Sequence, residues 1–241
     1  MPNIAVLIVT VPPPSAAGTS SRPFAKVENR EIFMRTIELY ANRDAVTQRV
    51  LCVGVDDLET VHAKYSAHLG FQGVNVTAGG PDWFGVVARG LEKLKPEIEV
   101  VFVHDACCPV VPFTLLDALD VAVAKAGAVA PALPVAGSVV HAPGNALTAP
   151  VESGGFQRLQ YHHVFKKEVL VNAYAQRGAI RGNDDITLVH LTGGKVTLLP
   201  GSEYNVRIDS DELQRLAGDY LKHLPKPKSK SPLTPFDEAQ W

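Results

Sequence analysis

The chain of 241 residues is long enough for one large α/β domain or two small ones, and its 46% hydrophobic residues supply a sizeable core. Its formal net charge of −2 gives no electrostatic footprint for nucleic acid or an anionic membrane, so small molecules and protein partners are the expected ligands. No apolar run approaches the ~20 residues that span a bilayer, and Met1-Pro2-Asn3 lacks the basic start of a signal peptide. Three cysteines, an odd number, make no disulfide framework. These features predict a cytoplasmic protein with reduced thiols.

Short β-branched runs alternate with amphipathic segments along the first 135 residues. This pattern is typical of crossover βα units and a mostly parallel sheet. The candidate strands, each apolar and closed by a turn signal, are NIAVLIVT, RVLCVGV, GVNVTA, EVVFVHD and GAVAPALPV. The candidate helices between them are residues 30–42, 56–68, 83–94 and 112–125. The sequence therefore predicts an α/β fold with a doubly wound, mostly parallel sheet.

The rhythm changes at residues 136–160, which are rich in Gly, Pro and Ala. Two short alternating pieces flank Pro143-Gly144-Asn145, which predicts an extended hairpin that projects from the sheet as an arm. The αβ pattern then resumes with helices at 166–176 and 183–192, the strand KVTLLPG and a closing helix at 210–223. Residues 225–241 turn to Pro, Lys and Ser, which favours a flexible tail after a single domain of residues 1–224.

The residues that follow the predicted strands are the candidates for a ligand site. In open parallel sheets the ligand lies outside the carboxyl ends of the strands. Gly79-Gly80 follows the third strand, Asp105 ends the fourth, and the segment 201–207 follows the late strand and ends in Arg207. Glycines permit close backbone approach to a phosphate, an aspartate can hold a divalent cation, and an arginine can pair with an anion. This set suits a nucleotide or a sugar phosphate.

Five segments in one order resemble the 2-C-methyl-D-erythritol 4-phosphate cytidylyltransferase family, over residues 3–222. VFVHDACCPV is similar to the family's V-x-V-H-D-A-A-R-P, and GSEYNVRID is similar to G-S-x-x-N-x-K-I-T. GGPDWFGVVARGL is similar to G-G-x-x-R-x-x-S-V-x-x-G-L. NDDITLVHLTGG is similar to T-D-D-A-x-L-V-E-x-x-G, and SRPFAKVENREIF to P-K-Q-x-L-x-x-x-x-K-P-L-L.

The resemblance implies a Rossmann-like nucleotidyltransferase that joins CTP, or another nucleotide, to a sugar-alcohol phosphate and releases pyrophosphate. It implies Mg²⁺ held by Asp105, no organic cofactor, and a homodimer in which the arm crosses to the second subunit. The catalytic residues that it implies are Arg22 and Arg207. The residues that it implies for nucleotide binding are Gly79, Gly80, Asp105, Ser202 and Asn205.

The departures from the family motifs fall on residues that carry chemistry. The glycine-rich phosphate loop is replaced by Val11-Pro12-Pro13-Pro14, and proline has no N–H to offer a phosphate. In the motif G-G-x-x-R-x-x-S-V-x-x-G-L, Trp83 replaces the arginine and Val86 replaces the serine. In V-x-V-H-D-A-A-R-P, Cys108 replaces the arginine. Residues 137–140 replace the family's D-T-I-K, and residues 161–163 replace its T-P-Q. We therefore expect weak transfer or altered specificity. The alternative is a catalytically inactive relative that acts as a nucleotide-binding or regulatory protein.

Several candidate residues also have purely structural interpretations. Asp105 could cap the helix that begins near Pro112, and Arg207 could be a solvated charge at a strand end. Cys107 and Cys108 are more typical of small packed residues than of a reactive pair. A metal site that they share with His104, His162 and His163 stays open, although these residues lack standard zinc spacing.

Overall fold

A computed structural model of the protein describes residues 2–16, 18, 22–144, 146–180 and 182–224. The predicted tail at 225–241 lies outside the described residues. The strands are β1 Ile4–Val9, β2 Lys26–Val27, β3 Arg30–Glu31, β4 Val46–Gly54, β5 Val74–Gly79, β6 Val100–Asp105, β7 Ala128–Pro134, β8 Val139–His141, β9 Ala149–Val151, β10 Gln157–Leu159, β11 His163–Lys166 and β12 Thr197–Pro200. The helices are α1 Ile32–Glu38, α2 Leu58–Phe71, α3 Trp83–Leu91, α4 Phe113–Ala126, α5 Lys167–Ala175, α6 Asp185–Leu191 and α7 Asp211–His223.

An eight-stranded sheet forms the centre of the fold. Its order is β5-β4-β1-β6-β11-β7, with β10 and β12 both paired to β7. Strands β1, β4, β5 and β6 are parallel, β12 is parallel to β7, and β10 and β11 run antiparallel to their neighbours. All residues of β1 and β6 are buried, as expected for central strands covered on both faces. The prediction of a doubly wound, mostly parallel α/β fold is confirmed.

Alternate residues of the central strands pack into two hydrophobic cores, one on each face of the sheet. Ile4, Val6 and Ile8 of β1 face a core completed by α1, α2 and α4. The residues between them face a second core completed by α3, α5 and α6. This division follows from the two-residue period of a strand, which sends successive side chains to opposite faces. Among the described residues no helix is long and apolar enough to cross a membrane.

The arm is a two-stranded hairpin at the place the sequence predicts. Strands β8 and β9 pair antiparallel, with Val139 opposite Val151 and His141 opposite Ala149. The prediction that residues up to 160 belong to this arm is wrong, because β10 at 157–159 returns to the main sheet and pairs with β7.

Strands β10 and β11 are missing from the sequence prediction. They are short, and they include polar residues such as Gln157, Arg158 and Lys166, so no apolar run marks them. Both pair with β7, and they are separated by residues 160–162, where His162 adopts a positive φ of 91°. The expected helix start at Arg30 is also wrong: Arg30–Glu31 forms the short strand β3, and α1 begins at Ile32.

Gly79 is required by packing between β5 and α3. A Cβ atom at this position would overlap the backbone of Val86, whereas a Cβ at Gly80 would meet the Cα of Gly85 at 3.5 Å, an ordinary contact. The close approach places the start of α3, capped by Asp82 through a 2.7 Å bond from the Gly85 N–H, directly against the end of β5. The glycine that the sequence suggests for phosphate contact is therefore in contact with a helix backbone.

We expect Gly79→Ala to destabilise the fold by about 1–3 kcal/mol, because the overlapping atoms are backbone atoms that cannot move aside cheaply. The matched control is Gly80→Ala, which should change the free energy of unfolding much less. Urea unfolding followed by circular dichroism measures both. Equal midpoints for the two variants would contradict the packing argument.

Candidate nucleotide site

A cavity of about 540 Å³ opens beside the carboxyl ends of β1 and β6. Its size is typical of a small-molecule site. The residues that line it come from the loops after β1 and β6, from β10 and the two residues that follow it, from the start of α6, and from the loop before α7 and the first turn of α7. They are Ser15, Ala16, Cys108, Gln157, Arg158, Leu159, Gln160, Tyr161, Asn183, Asp184, Thr187, Asn205, Val206, Arg207, Asp209 and Leu213.

Asp105 and Arg207 form a buried ion pair at this end of the sheet. The Arg207 Nε donates to Asp105 Oδ2 at 2.7 Å, and the side chains are 1% and 11% exposed for Asp105 and Arg207 respectively. The backbone N–H of Cys107 donates to Asp105 Oδ1 at 2.8 Å. Burial raises the pKa of Asp105, and the Arg207 charge and the Cys107 amide oppose that rise. Burial is the largest single influence on the pKa of Arg207 and lowers it, but the charge and hydrogen bond of Asp105 and the neighbouring Cys107 and Cys108 together outweigh burial, so the net shift is upward.

Asp105 as described does not fit a preformed Mg²⁺ site. One of its carboxylate oxygens already accepts from a guanidinium and the other from a backbone amide. In the part of the chain that the structure describes, no group of three His, Cys, Asp or Glu side chains is arranged to hold a metal ion. Binding of Mg²⁺ together with a nucleotide stays a prediction. Asp105 also does not cap a helix, because the N-cap of α4 is Pro112.

His104 and the two neighbouring cysteines belong to the packed interior. His104 Nδ1 lies 2.6 Å from the Tyr40 hydroxyl, and its Nε2 lies 2.8 Å from the Cys108 carbonyl oxygen. Burial lowers the pKa of His104 to about 4, so the ring is neutral at pH 7. Burial also raises the pKa of Cys108 well above its ordinary value, which makes this thiol unreactive. The structural interpretation of Cys107 and Cys108 agrees with their burial.

The break between β10 and β11 is tied to the loop at 201–207 by side-chain amides. Gln160 Nε2 donates to the carbonyls of Ser202 and Asn205 at 2.7 and 2.9 Å, and its Oε1 accepts from the Ser202 N–H at 2.9 Å. Asn205 Nδ2 donates back to the Tyr161 carbonyl at 3.3 Å and lies 3.2 Å from His162 Nε2. The left-handed backbone of His162 is strained for a residue with a Cβ, and strain of this kind is common at functional sites.

A second buried carboxylate, Asp185, stands beside the site. The Trp83 indole N–H donates to it at 2.8 Å and the Tyr174 hydroxyl donates at 2.5 Å. Burial raises the pKa of Asp185. Its neighbour Asp184 caps α6 by accepting from the Thr187 N–H at 2.8 Å. The motif NDDITLVHLTGG marks this segment, but sequence reasoning singled out neither acid, nor Gln160.

The other predicted site residues fall into two groups. Arg207 and Asn205 line the cavity, and Asp105 lies beneath it, paired to Arg207. Arg22, Gly79, Gly80 and Ser202 do not line it. Arg22 forms an ion pair with Asp211 at the start of α7. The Ser202 hydroxyl accepts from the Tyr204 N–H at 3.3 Å, which stabilises its own loop.

The doubly wound sheet, with a cavity at the carboxyl ends of its strands, is a Rossmann-like fold of the kind that binds nucleotides. The family model for 2-C-methyl-D-erythritol 4-phosphate cytidylyltransferase (IspD) matches residues 15–223. The chain belongs to this family of the isoprenoid pathway. The resemblance inferred from the five motifs is therefore confirmed.

Individual relatives agree with this assignment. The chain is 29% identical to 2-C-methyl-D-erythritol 4-phosphate cytidylyltransferase of Acidobacterium capsulatum, over 83% of this chain and 87% of the relative. It is 28% identical to the bifunctional enzyme IspD/IspF of Desulfotalea psychrophila over 95% of this chain, but it spans only 60% of that relative's length. The crystal structure of 4-diphosphocytidyl-2C-methyl-D-erythritol synthase from Anaerococcus prevotii has the same fold, with a TM-score of 0.76 at 19% identity over 92% of this chain and 99% of that one.

We expect Arg207→Met to cost about 3–5 kcal/mol of folding free energy, because it leaves the Asp105 carboxylate buried without its counter-charge. Adding Asp105→Asn should recover part of the loss. The control is Arg215→Met, which breaks an ion pair between side chains that are 72% and 77% exposed and should cost less than about 1 kcal/mol. Urea unfolding at pH 7 measures all four proteins. If Arg207→Met lost no more stability than the control, the stabilising role of the buried ion pair between Asp105 and Arg207 would be contradicted.

Proposed function

We propose that the protein binds a cytidine nucleotide in the cavity at the carboxyl ends of β1 and β6 and transfers a cytidylyl group from CTP to a sugar-alcohol phosphate only very weakly. The observation that carries this proposal is the buried pair of Asp105 and Arg207. Both charges that the family motifs offer for metal and phosphate are engaged with each other. Family membership and the cavity support nucleotide binding, and the neutralised charges support weak transfer.

Phosphoryl transfer depends on positive charge placed where negative charge develops on the phosphates. Arg22, the other predicted catalytic cation, is paired with Asp211 and Gln214 at the start of α7. Trp83, which replaces a family arginine, is 1% exposed and uses its N–H to hold Asp185. Three sources of positive charge are therefore absent or already satisfied. Mg²⁺, if it binds with CTP, would supply part of what is lacking.

Cytidylyl transfer should be at least ~10²–10³ slower than in an ordinary family member, because losing one preorganised charge contact commonly costs that much. Pyrophosphate release from CTP, 2-C-methyl-D-erythritol 4-phosphate and Mg²⁺ measures the rate, with the Acidobacterium capsulatum relative assayed in parallel. A rate within tenfold of that relative would contradict the proposal.

A catalytically silent nucleotide-binding or regulatory protein is the second candidate. The pairing of Asp105 with Arg207 favours this candidate as well. Pyrophosphate release distinguishes it from a weakly active transferase. A silent protein should show no pyrophosphate release above a no-enzyme control, yet CTP or another nucleotide should raise its melting temperature. A ligand at 100 times its dissociation constant adds ~2.7 kcal/mol of stability. The three buried free cysteines support a reducing, cytoplasmic setting for either candidate.

We also propose a homodimer built on the arm. Strands β8 and β9 form a two-stranded sheet separate from the central one, and a lone two-stranded hairpin is marginal in water. Val140, Leu147 and Phe156 of the arm segment are 42%, 65% and 52% exposed. A second subunit would cover these apolar side chains, and a two-fold arrangement would cover both copies at once. Such an interface is stabilised by burial, so it does not depend on catalysis.

The full chain should scatter light at twice its mass of 25.9 kDa at micromolar concentration. Deletion of residues 138–154 should give a monomer whose circular dichroism shows a folded domain. Leu147→Glu should weaken the dimer, because a charge would enter the apolar contact. The control is Phe71→Glu, at a residue that is 94% exposed on α2 outside the arm. A monomeric wild-type protein would refute the proposal.

A further inference from the structure

Trp83 belongs to the segment GGPDWFGVVARGL, but its side chain has no access to a ligand. It is the first residue of α3, is 1% exposed and does not line the cavity. Its backbone is held in place, because Asp82 caps the same helix and Gly79 lets the helix start lie directly against β5. Any effect of Trp83 on a bound ligand therefore passes through the residues that it contacts.

One contact joins Trp83 to the start of α6. Its indole N–H donates to Asp185 Oδ2 at 2.8 Å, and the Asp185 side chain is fully buried. Asp184 and Thr187, on either side of Asp185 in the chain, both line the cavity and bind each other in a capping box. The hydrogen bond from Trp83 therefore anchors a helix start that forms part of the cavity wall.

A second contact joins the same indole to Tyr161, which also lines the cavity. The ring centroids of Trp83 and Tyr161 are 6.1 Å apart, and the ring planes are inclined by 54°. This separation lies within the range of favourable aromatic pairs. Tyr161 comes from the residues between β10 and β11. One buried indole thus contacts two parts of the cavity wall that come from separate parts of the chain.

We propose that Trp83 is a positioning residue for the ligand of this cavity: its ring holds Tyr161, and its N–H holds the start of α6. This role rests on the proposed function, since the ligand whose site Trp83 supports is the nucleotide. A neutral indole at the place of a motif arginine supplies no charge to a phosphate. It supplies instead the contact that fixes two parts of the wall relative to each other.

A matched pair of variants separates positioning from stability. Trp83→Phe and Tyr174→Phe each remove one hydrogen-bond donor from the buried Asp185 carboxylate, so both should lower the melting temperature. Tyr174 does not line the cavity, and its ring packs on Phe84, which does not line it either. Only Trp83→Phe should therefore disturb the wall.

Isothermal titration calorimetry of the full chain with CTP and Mg²⁺ measures the effect on the ligand. Trp83→Phe should weaken CTP binding by about tenfold, and Tyr174→Phe should change it by less than about threefold. Unchanged affinity in Trp83→Phe would overturn the inference. A loss in Tyr174→Phe as large as in Trp83→Phe would also overturn it, because a weakened Asp185 anchor would then explain both. A wild-type protein that binds no CTP would overturn the proposed function together with the inference.

Tryptophan fluorescence provides a second readout, which holds even if Trp83→Phe fails to fold. The chain has two tryptophans, so Trp241→Phe leaves Trp83 as the single indole. Saturation of this variant with CTP should shift or quench the Trp83 emission, because the ligand meets Tyr161 and the start of α6, which both contact the indole. Unchanged emission in a variant that calorimetry shows to be saturated would refute the positioning role and leave the proposed nucleotide binding intact.

Discussion

The ion pair between Asp105 and Arg207 is the interaction on which the carboxyl end of the sheet depends. Asp105 ends the central strand β6, and Arg207 comes from a loop about one hundred residues later in the chain. Neither charge could be left buried alone, since an isolated buried ion costs several kcal/mol. The pair therefore fixes the loop at 201–209 against the strand end. The Ile208 N–H reinforces this join by donating to the Cys107 carbonyl at 2.8 Å, and Ile208 packs with Val27, Ile32 and Val110 under α7.

The same loop is held on its other side by residues 160–162, which separate the antiparallel strands β10 and β11. Gln160 satisfies three backbone groups of the loop, and a Cβ at Gly201 would displace the Gln160 amide that makes these bonds. The strained backbone of His162 is tolerated because the ring is fully buried and packed against His104, with ring centroids 4.8 Å apart. Hydrogen bonds from Gln160 thus fix the loop that forms one side of the cavity.

Family membership and local chemistry lead to different conclusions about this protein. The fold, the order of the motifs and Asp105 are those of a cytidylyltransferase family. The groups that would act on a triphosphate are paired, buried or replaced: Arg207 is held by Asp105, Arg22 by Asp211, and Cys108 stands at the place of an arginine. Binding of a base and a sugar needs shape and hydrogen bonds, whereas transfer needs placed charge. The proposal of nucleotide binding and the proposal of weak transfer are therefore compatible.

The sequence by itself determined the parallel half of the sheet, most of the helices that cover it and the position of the arm hairpin. These follow from local signals, namely continuous apolar runs for strands buried on both faces and glycine or proline at their ends. Only the tertiary structure decided that β10 and β11 return through the sheet, because short strands with polar residues are stabilised by neighbours distant in sequence. It also decided that Gly79 contacts α3 and that Asp105 is paired with Arg207, since partners so far apart in the chain leave no periodic pattern.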